Sequence, residues 1–492
     1  MPSILFQPHK TMKTMHNKRR YNRLAGIAGL LITLSACKNP ALISKTENRN
    51  VPAGFGNGNS TAAAALSNWR TFFQDPYLAA LIDTALHNNQ ELNITLQEVQ
   101  IARNEVRARK GEYLPFVGIE GGAAVDKAAR YTNIGAMEHQ TEIAPGKEMP
   151  EPLPDLRLAA RASWELDIWR KLRNAKKAAY NRFLSGVEGK NFMVTNLVAE
   201  IARSYYELLA LDNQLAIINQ NIEIQENALK IVKLQKEAAK VTELAVRRFE
   251  AQVLQTKSMQ YGIRQKITET ENQINYLVGR YPQTITRSAG AFNELTPQAV
   301  ASGVPAQLLE NRPDIRQAEL DLAAAKLDVK VARARFYPSL SIDARVGLQA
   351  FNTSYFLKTP ESLLYSLAGQ LAAPLINRNA IKAAYYTANA KQIQAVYHYE
   401  QTILNAYIEV VNQLAKINNL GNSYELKAQQ VQALSESVNI SNSLFRSARA
   451  DYMEVLLTQR DALESKFELV ETKMQQLNAS VNIYRALGGG WQ

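Results

Sequence analysis

Residues 156–168 read Leu-Arg-Leu-Ala-Ala-Arg-Ala-Ser-Trp-Glu-Leu-Asp-Ile, in which apolar and polar side chains alternate almost without a break. Alternation with a period of two residues is typical of a β-strand that has one apolar and one polar face. Charged side chains occupy most of the polar positions, and aliphatic side chains with Trp164 occupy the apolar ones. The segment therefore predicts a strand whose two faces meet very different surroundings.

Three more segments alternate in the same way, at 117–126, 340–350 and 363–371. Together with 156–168, they predict four strands per chain in two hairpins, about 113–168 and about 337–372. Strands of about ten residues with this pattern are typical of transmembrane β-barrels, although a half-buried sheet of a soluble protein gives the same alternation. In a barrel the charged side chains would face the lumen, and these are Glu120, Arg157, Arg161, Glu165, Asp343 and Arg345.

The strands of each hairpin are separated by segments rich in turn residues. The segment at about 127–155 ends in a run of prolines and glycines, and the one at about 351–361 is shorter. Both are predicted to be solvent-exposed loops.

Very long helices are predicted after each hairpin. No proline occurs from Arg173 to about Lys236, and apolar residues recur there in steps of three and four. The same pattern runs from Ala380 to about Arg446, and shorter helices follow at about 242–279 and 451–487. Such spacing indicates coiled-coil packing. The apolar seams comprise Leu211, Leu215, Ile218, Ile222, Leu229 and Val232, with Gln225 in one slot, and Ile403, Tyr407, Val410, Leu414, Ile417, Tyr424 and Val431.

The two halves of the chain resemble each other in sequence. The segment 113–120, Tyr-Leu-Pro-Phe-Val-Gly-Ile-Glu, matches 336–343, Phe-Tyr-Pro-Ser-Leu-Ser-Ile-Asp. This similarity predicts two tandem structural repeats, 67–280 and 281–492, each with helices, a β-hairpin and a long helical hairpin.

The N-terminus has the parts of a secretory signal at 1–36. Six Lys and Arg side chains and no acidic residue precede an apolar stretch that is too short to span a membrane as a helix. Leu34-Ser35-Ala36-Cys37 resembles the bacterial lipobox, which predicts a lipid on Cys37, the only cysteine. An ordinary signal followed by a chance cysteine is the alternative. Residues 37–66 are predicted to be a flexible leader from the anchor.

Composition narrows the possible partners. Without the six basic residues of the signal, the formal charge falls from +12 to +6, too mild to indicate nucleic-acid binding. No run of 18 or more apolar residues follows Cys37, so a mature chain that spans a membrane must do so with strands. The four strands of one chain cannot close a barrel. Two copies would give eight strands, whose interior is filled by side chains, whereas three copies would give twelve strands and leave a lumen.

Several motifs resemble the outer-membrane efflux proteins related to TolC and OprM, in the NodT lipoprotein branch. The resemblance covers nearly the whole mature chain and implies a homotrimer with a 12-stranded membrane β-barrel and a long α-helical coiled-coil barrel. It also implies a location in the outer membrane with the helical part in the periplasm, and two partners, a membrane-fusion adaptor and a resistance-nodulation-division (RND) transporter. The motifs are 69–78 (WRTFFQDPYL), 163–169 (SWELDIW), 305–315 (PAQLLENRPDI) and 484–491 (YRALGGGW).

The residues that would close such a duct depart from the family pattern. The family's gate aspartate aligns with Leu457, and its acidic position nearer the tip aligns with Glu454. Glu454 with Asp451 is the candidate substitute, with Arg449 or Arg446 as possible hydrogen-bond donors. Two alternatives stay open: an apolar constriction formed by Leu457 and Met453, or a solvated outer-face role for Glu454. The turns between the helices have Ala239 and Ala448 where the family usually has glycine.

These patterns are compatible with three classes of function. The favoured one is a passive efflux or secretion duct from periplasm to exterior. A lipid-anchored coiled-coil scaffold and a surface enzyme are the others, and no catalytic motif or metal-ligand spacing supports the enzyme. No cofactor and no metal site are expected, and the exported compound is not indicated.

Overall fold

The computed structural model describes residues 39–55, 68–288, 292, 294–297, 303–447 and 449–491. The predicted signal 1–36, Cys37 and the turn residue Ala448 lie outside them. The described chain is mostly helical and contains one large antiparallel sheet. In chain order its helices and strands are α1 (Trp69–Phe72), α2 (Pro76–Asn88), α3 (Gln90–Tyr113), β1 (Phe116–Asp126), α4 (Asn133–Gln140), β2 (Glu142–Ala144), β3 (Lys147–Glu148), β4 (Leu153–Leu166), α5 (Lys171–Glu237), α6 (Glu243–Val278), a 3-10 turn (Pro305–Gln307), α7 (Leu308–Asn311), α8 (Pro313–Ala334), β5 (Ser339–Ala350), α9 (Thr353–Phe356), β6 (Leu363–Ala372), α10 (Asn379–Arg446) and α11 (Tyr452–Ala486).

The chain divides into two compact units. The strand unit comprises Ala102–Arg182, Leu322–Ala395 and the described residues up to Thr46. The helix unit comprises Glu47–Ile101, Phe183–Asp321 and the residues from Val396 onward. This division is spatial, so the tandem repeats 67–280 and 281–492 stay a prediction. No helix among the described residues combines the length and the hydrophobicity needed to cross a membrane.

The sheet of the strand unit has the order β1-β4-β5-β6, and every neighbouring pair is antiparallel. β4 and β5 occupy the centre, although Leu156 of β4 pairs with Ala350 of β5 from the other half of the chain. β1 and β6 form the two edges.

The predicted end of β4 is wrong by two residues. The strand stops at Leu166 because Asp167 turns to the start of α5, where its carboxylate accepts hydrogen bonds from the backbone N–H groups of Leu172 (3.0 Å) and Arg173 (2.9 Å). A carboxylate at a helix N-terminus satisfies N–H groups that have no partner within the helix. An alternating pattern alone does not reveal this switch.

The segment between β1 and β4 has more structure than a plain loop. It contains α4, whose first turn is capped by Thr132, with the hydroxyl accepting from the N–H of Gly135 at 3.2 Å. It also contains the short β2–β3 hairpin, which turns at Gly146 with φ of 75°. The helical signal was missed because α4 has only eight residues.

The greater part of two long helices belongs to the helix unit: α5, with 67 residues in all, and α10, with 68. Each would be roughly 100 Å long at about 1.5 Å per residue. The predicted seams are confirmed, since every seam position is buried or half-buried. Gln225 is 1 % exposed, and its amide Nε2 donates to Asn221 Oδ1 at 2.9 Å.

Residues 39–55, the described part of the predicted leader, contact the body of the protein. In the strand unit, the Asn39 amide donates to the Tyr337 hydroxyl at 3.0 Å. In the helix unit, Phe55 stacks on Tyr407 with 5.6 Å between ring centroids, and Arg49 pairs with Glu319 at 2.8 Å. These contacts hold an extended segment without helix or strand.

A buried ionic cluster ties three helices together at the C-terminal end of α11. The Arg312 guanidinium, before α8, donates to both oxygens of Asp314, to Glu409 of α10 at 2.8 Å and to the carbonyl oxygen of Ala486 at 2.8 Å. Arg485 also pairs with Glu409. Desolvation opposes the charge of Arg312, but Asp314 and then Glu409 outweigh it and raise the pKa of the guanidinium above its ordinary value.

We expect Arg312→Ala to destabilise the helix unit by about 3–5 kcal/mol, because it removes a buried guanidinium and leaves the half-buried Asp314 carboxylate without its partner. Helical circular dichroism during chemical unfolding would measure this loss. The matched control is Arg247→Ala, which also removes two carboxylate contacts, but from a side chain that is 68 % exposed. Equal shifts for the two variants would contradict a special role for the buried cluster.

Candidate functional site

One face of the sheet collects the charged side chains. Directly paired residues on antiparallel strands share a face, and Gly118, Arg161, Arg345 and Ser366 therefore form one row across all four strands. The strand register places all six predicted charges on this face: Glu120, Arg157, Arg161, Glu165, Asp343 and Arg345.

The charges on this face are paired diagonally. Arg161 and Arg345 lie directly opposite each other, an arrangement of like charges that is unfavourable by itself. Arg161 Nη2 lies 3.5 Å from Asp343 Oδ1, and Arg345 Nε lies 2.9 Å from Glu120 Oε1. Two carboxylates thus offset the repulsion between the two arginines, and the net interaction across this row is attractive.

Two small residues make the second pair possible. Glu120 is on β1 and Arg345 is on β5, so their contact passes over β4. At that level β4 has Ala159, which is 3 % exposed, paired with Gly347 of β5. A Cβ on Gly347 would lie 2.3 Å from the Leu158 carbonyl oxygen and 2.5 Å from Ala159 Cα. Only glycine fits this close approach of the two central strands.

Two more carboxylates lie on the same face, outside the predicted set of six. Asp126 is the last residue of β1 and Asp155 is the third residue of β4, and the strand register places both on the charged face. The Gln349 amide donates to Asp155 at 2.8 Å. β4 begins three residues before the predicted start at 156, so Asp155 lies in the strand and not in the predicted loop.

The opposite face of the sheet is apolar and open. Val117, Ile119, Leu367 and Leu371 are 66–82 % exposed. An apolar surface of this extent is costly in water and marks a contact with another protein or with lipid.

The tip of the first helical hairpin is a tight turn. Ala239 takes φ of 57° in this turn, a conformation that glycine usually supplies. Glu243 at the start of α6 pairs with Lys236 at the end of α5 and with Arg247 at 2.8 Å. The packing beneath it is apolar and includes buried Val232, Phe249 and Val455.

The predicted gate residues lie at the start of α11. Asp451 is the residue before its first turn, and Glu454 and Leu457 follow at three-residue steps with exposed side chains. Met453 is half-buried, and Arg449 is exposed. Among the described residues, neither Arg446 nor Arg449 forms an ion pair with Asp451 or Glu454 within one chain. The structure therefore brings Asp451, Glu454 and Leu457 onto one exposed stripe.

A sheet with one charged and one open apolar face, in a chain with helices of this length, has the architecture of outer-membrane channel subunits. The open-state structure of the Neisseria gonorrhoeae MtrE outer membrane channel has the same fold, with a TM-score of 0.80 and 20 % sequence identity over 92 % of this chain and 99 % of that one.

The sequence profile of the family described as outer membrane efflux protein matches residues 81–280 and 304–489. The chain belongs to this family. It is 29 % identical over 465 residues to the pyoverdine export outer membrane protein OpmQ of Pseudomonas putida, covering 94 % of this chain and 96 % of OpmQ. It is also 25 % identical to the probable outer membrane lipoprotein SilC of Salmonella typhimurium, covering 95 % of this chain and 99 % of SilC.

We expect Gly347→Ala to disrupt the pairing of β4 with β5, because its Cβ has no space. The fraction of purified protein that keeps its β-structure in mild detergent, followed by circular dichroism, should fall sharply. Gly369→Ala on the edge strand β6 is the matched control, since no atom lies within 4 Å of its added Cβ. Wild-type behaviour of Gly347→Ala would refute the close approach.

Proposed function

We propose that this protein is the passive exit duct of a tripartite efflux pump in the outer membrane, through which small molecules such as drugs leave the periplasm. The observation that carries the proposal is the four-stranded sheet with a charged face, an open apolar face and two edges, β1 and β6. A scaffold made only of coiled coils has no need of such a sheet. No step of this function requires an enzyme or a cofactor.

Closure of the sheet requires more than one copy. Edge strands leave backbone N–H and C=O groups unpaired, and each unpaired group costs several kcal/mol in lipid. If β6 of one copy pairs with β1 of the next, three copies close a barrel of 12 strands from four each. Two copies would close a barrel of eight, whose interior side chains fill. The homotrimer is the smallest assembly that leaves a lumen.

The sheet has the dimensions of a membrane barrel. β1 has 11 residues, which at about 3.3 Å per residue is roughly 36 Å, or about 25 Å in height at a tilt near 45°. The open apolar face would contact lipid. The charged row with Arg161 and Arg345 would face the lumen, where water solvates it.

The anchor and the helices would determine the orientation. We place the lipid on Cys37, after cleavage of a signal at 1–36, and the long helices in the periplasm as a second tube. Asn39, two residues from Cys37, is bonded to Tyr337 just before β5. This contact supports an anchor at the helix-joined end of the sheet, which is the periplasmic side in this proposal.

A passive duct has no energy source of its own, so it needs partner proteins that drive export. A periplasmic adaptor would dock at the hairpin tips, and an RND transporter in the inner membrane would drive export. Relatives named for pyoverdine export and for solvent efflux support a role in efflux.

We place the gate at the start of α11. In a trimer Glu454, Asp451 and Leu457 would each appear three times around the axis. Converging carboxylates would attract cations and would repel one another unless a cation or an arginine such as Arg449 offsets them. Leu457 with Met453 would instead narrow the duct by excluding water.

Intact mass measurement of the detergent-solubilised protein tests the assembly and the anchor together. The expected species is a trimer whose chains begin at Cys37 and carry a diacylglycerol mass. Cys37→Ser should lose the lipid mass and keep the trimer in detergent, because the barrel supplies its own membrane contact. In planar bilayers the wild-type trimer should form ion-conducting channels. A monomer with full β-structure and no conductance would refute the duct.

The gate is tested by single-channel conductance of trimers with Glu454→Ala, Leu457→Ala and Met453→Ala. We expect at least one of them to conduct more than wild type, because the narrowest point loses bulk or charge. The control is Glu464→Ala, which removes an exposed carboxylate further along the same helix. This variant should leave conductance near that of wild type. If no gate variant conducts more, the gate lies elsewhere and the duct still stands.

A further inference from the structure

A groove in the helix unit carries two exposed tyrosines. It lies where α2 passes into α3 beside the C-terminal end of α6, and its volume of about 380 Å³ is within the range of roughly 300–1,000 Å³ that is usual for small-molecule sites. We call it the tyrosine groove, and its lining includes Gln90, Glu91, Tyr276, Arg280 and Tyr281.

The two tyrosines are not needed for packing. Ile274, Leu277 and Val278 form the buried face of the last turn of α6. Tyr276 points away from that face and is 62 % exposed, and Tyr281 after the helix is 93 % exposed. A single exposed aromatic residue is ordinary, whereas two beside one concave surface suggest a ligand.

The walls of the groove are held in place. The Asn89 amide donates to the Leu277 carbonyl oxygen at 2.9 Å, and its own oxygen accepts from the N–H of Leu92 at 2.8 Å. Gly279 ends α6 with φ of 76°, and a Cβ there would lie 2.5 Å from the Asn88 carbonyl oxygen. Arg280 Nε donates to Asn275 Oδ1 at 2.7 Å. The groove is therefore formed before any ligand arrives, which lowers the entropic cost of binding.

The lining selects the class of ligand. The Glu91 carboxylate disfavours an anion, and the Arg280 guanidinium disfavours a cation. Gln90 and Glu91 offer exposed hydrogen-bonding groups, and the tyrosine rings offer apolar faces. A sugar ring presents both chemistries, because its C–H face is apolar and its hydroxyl groups donate and accept hydrogen bonds.

We propose that the tyrosine groove binds a glycan, namely the β-1,4-linked N-acetylhexosamine strand of the cell wall. The choice of this particular glycan rests on the proposed function, because a duct with its helices in the periplasm has to pass through the cell wall. The binding of a sugar by the groove does not rest on it. Tyr276 and Tyr281 stack on sugar faces, and Gln90 with Glu91 bonds the hydroxyl and acetamido groups. The contact would hold the duct in position within the wall.

The test is co-sedimentation of the detergent-solubilised, full-length protein with isolated cell-wall sacculi. The variant with both Tyr276→Ala and Tyr281→Ala should bind about tenfold more weakly, a change equivalent to about 1.4 kcal/mol. Glu91→Gln should also weaken binding, whereas Tyr281→Phe should keep most of it because the ring remains. Tyr261→Ala is the control, since Tyr261 is 68 % exposed on the same helix but outside the groove.

Competition identifies the part of the wall that is bound. A soluble β-1,4-linked N-acetylglucosamine oligomer should displace the wild-type protein, and sacculi stripped of their peptides should retain it. Equal sedimentation of wild type and the double tyrosine variant, or an oligomer that does not compete, would overturn the proposal. Channel conductance of the double variant should match wild type, so failure of the glycan site and failure of the duct are told apart.

Discussion

The unpaired edges of the four-stranded sheet are the constraint on which the rest of the structure depends. β4 and β5 are paired on both sides, whereas β1 and β6 each have a partner on one side within a chain. An apolar environment supplies no hydrogen bonds for the free side of these strands. The open apolar face, with Ile119 and Leu367 about 80 % exposed, calls for just such an environment. In the proposed trimer, folding of this sheet in lipid and association of the chains are therefore one process.

Much of this fold could be predicted because its signals are local and periodic. Alternation identified β1, β4, β5 and β6, and steps of three and four residues identified the buried seams of α5 and α10. The register across β4 and β5 could not be predicted, because it joins residues near 160 to residues near 346, far apart in the chain. The diagonal pairing of Arg161 with Asp343 follows from that register and was invisible for the same reason.

Prediction was weakest where one residue serves two elements. Asp167 continues the alternation of β4, yet its carboxylate caps α5. Ala239 takes a left-handed conformation that its residue type disfavours, so the turn was located from the helix ends on either side of it. The proposed gate residues and the tyrosine groove have no periodic signal, because each is defined by exposed side chains that lie together in space.

Within the helix unit, a charged cluster lies at the C-terminal end of α11, and a buried amide without partners lies near its start. At its C-terminal end, Arg312 saturates Asp314, Glu409 and the Ala486 carbonyl, and breaking such a buried set costs several kcal/mol. Toward its start, Gln459 is 2 % exposed, and neither its amide oxygen nor its nitrogen has a hydrogen-bond partner among the described residues. A buried amide without partners costs about 1–3 kcal/mol, which separation of the helices would recover through hydration. The charged cluster therefore stabilises the C-terminal end of α11, whereas the unpartnered amide of Gln459 lowers the free energy needed to separate the helices near its start.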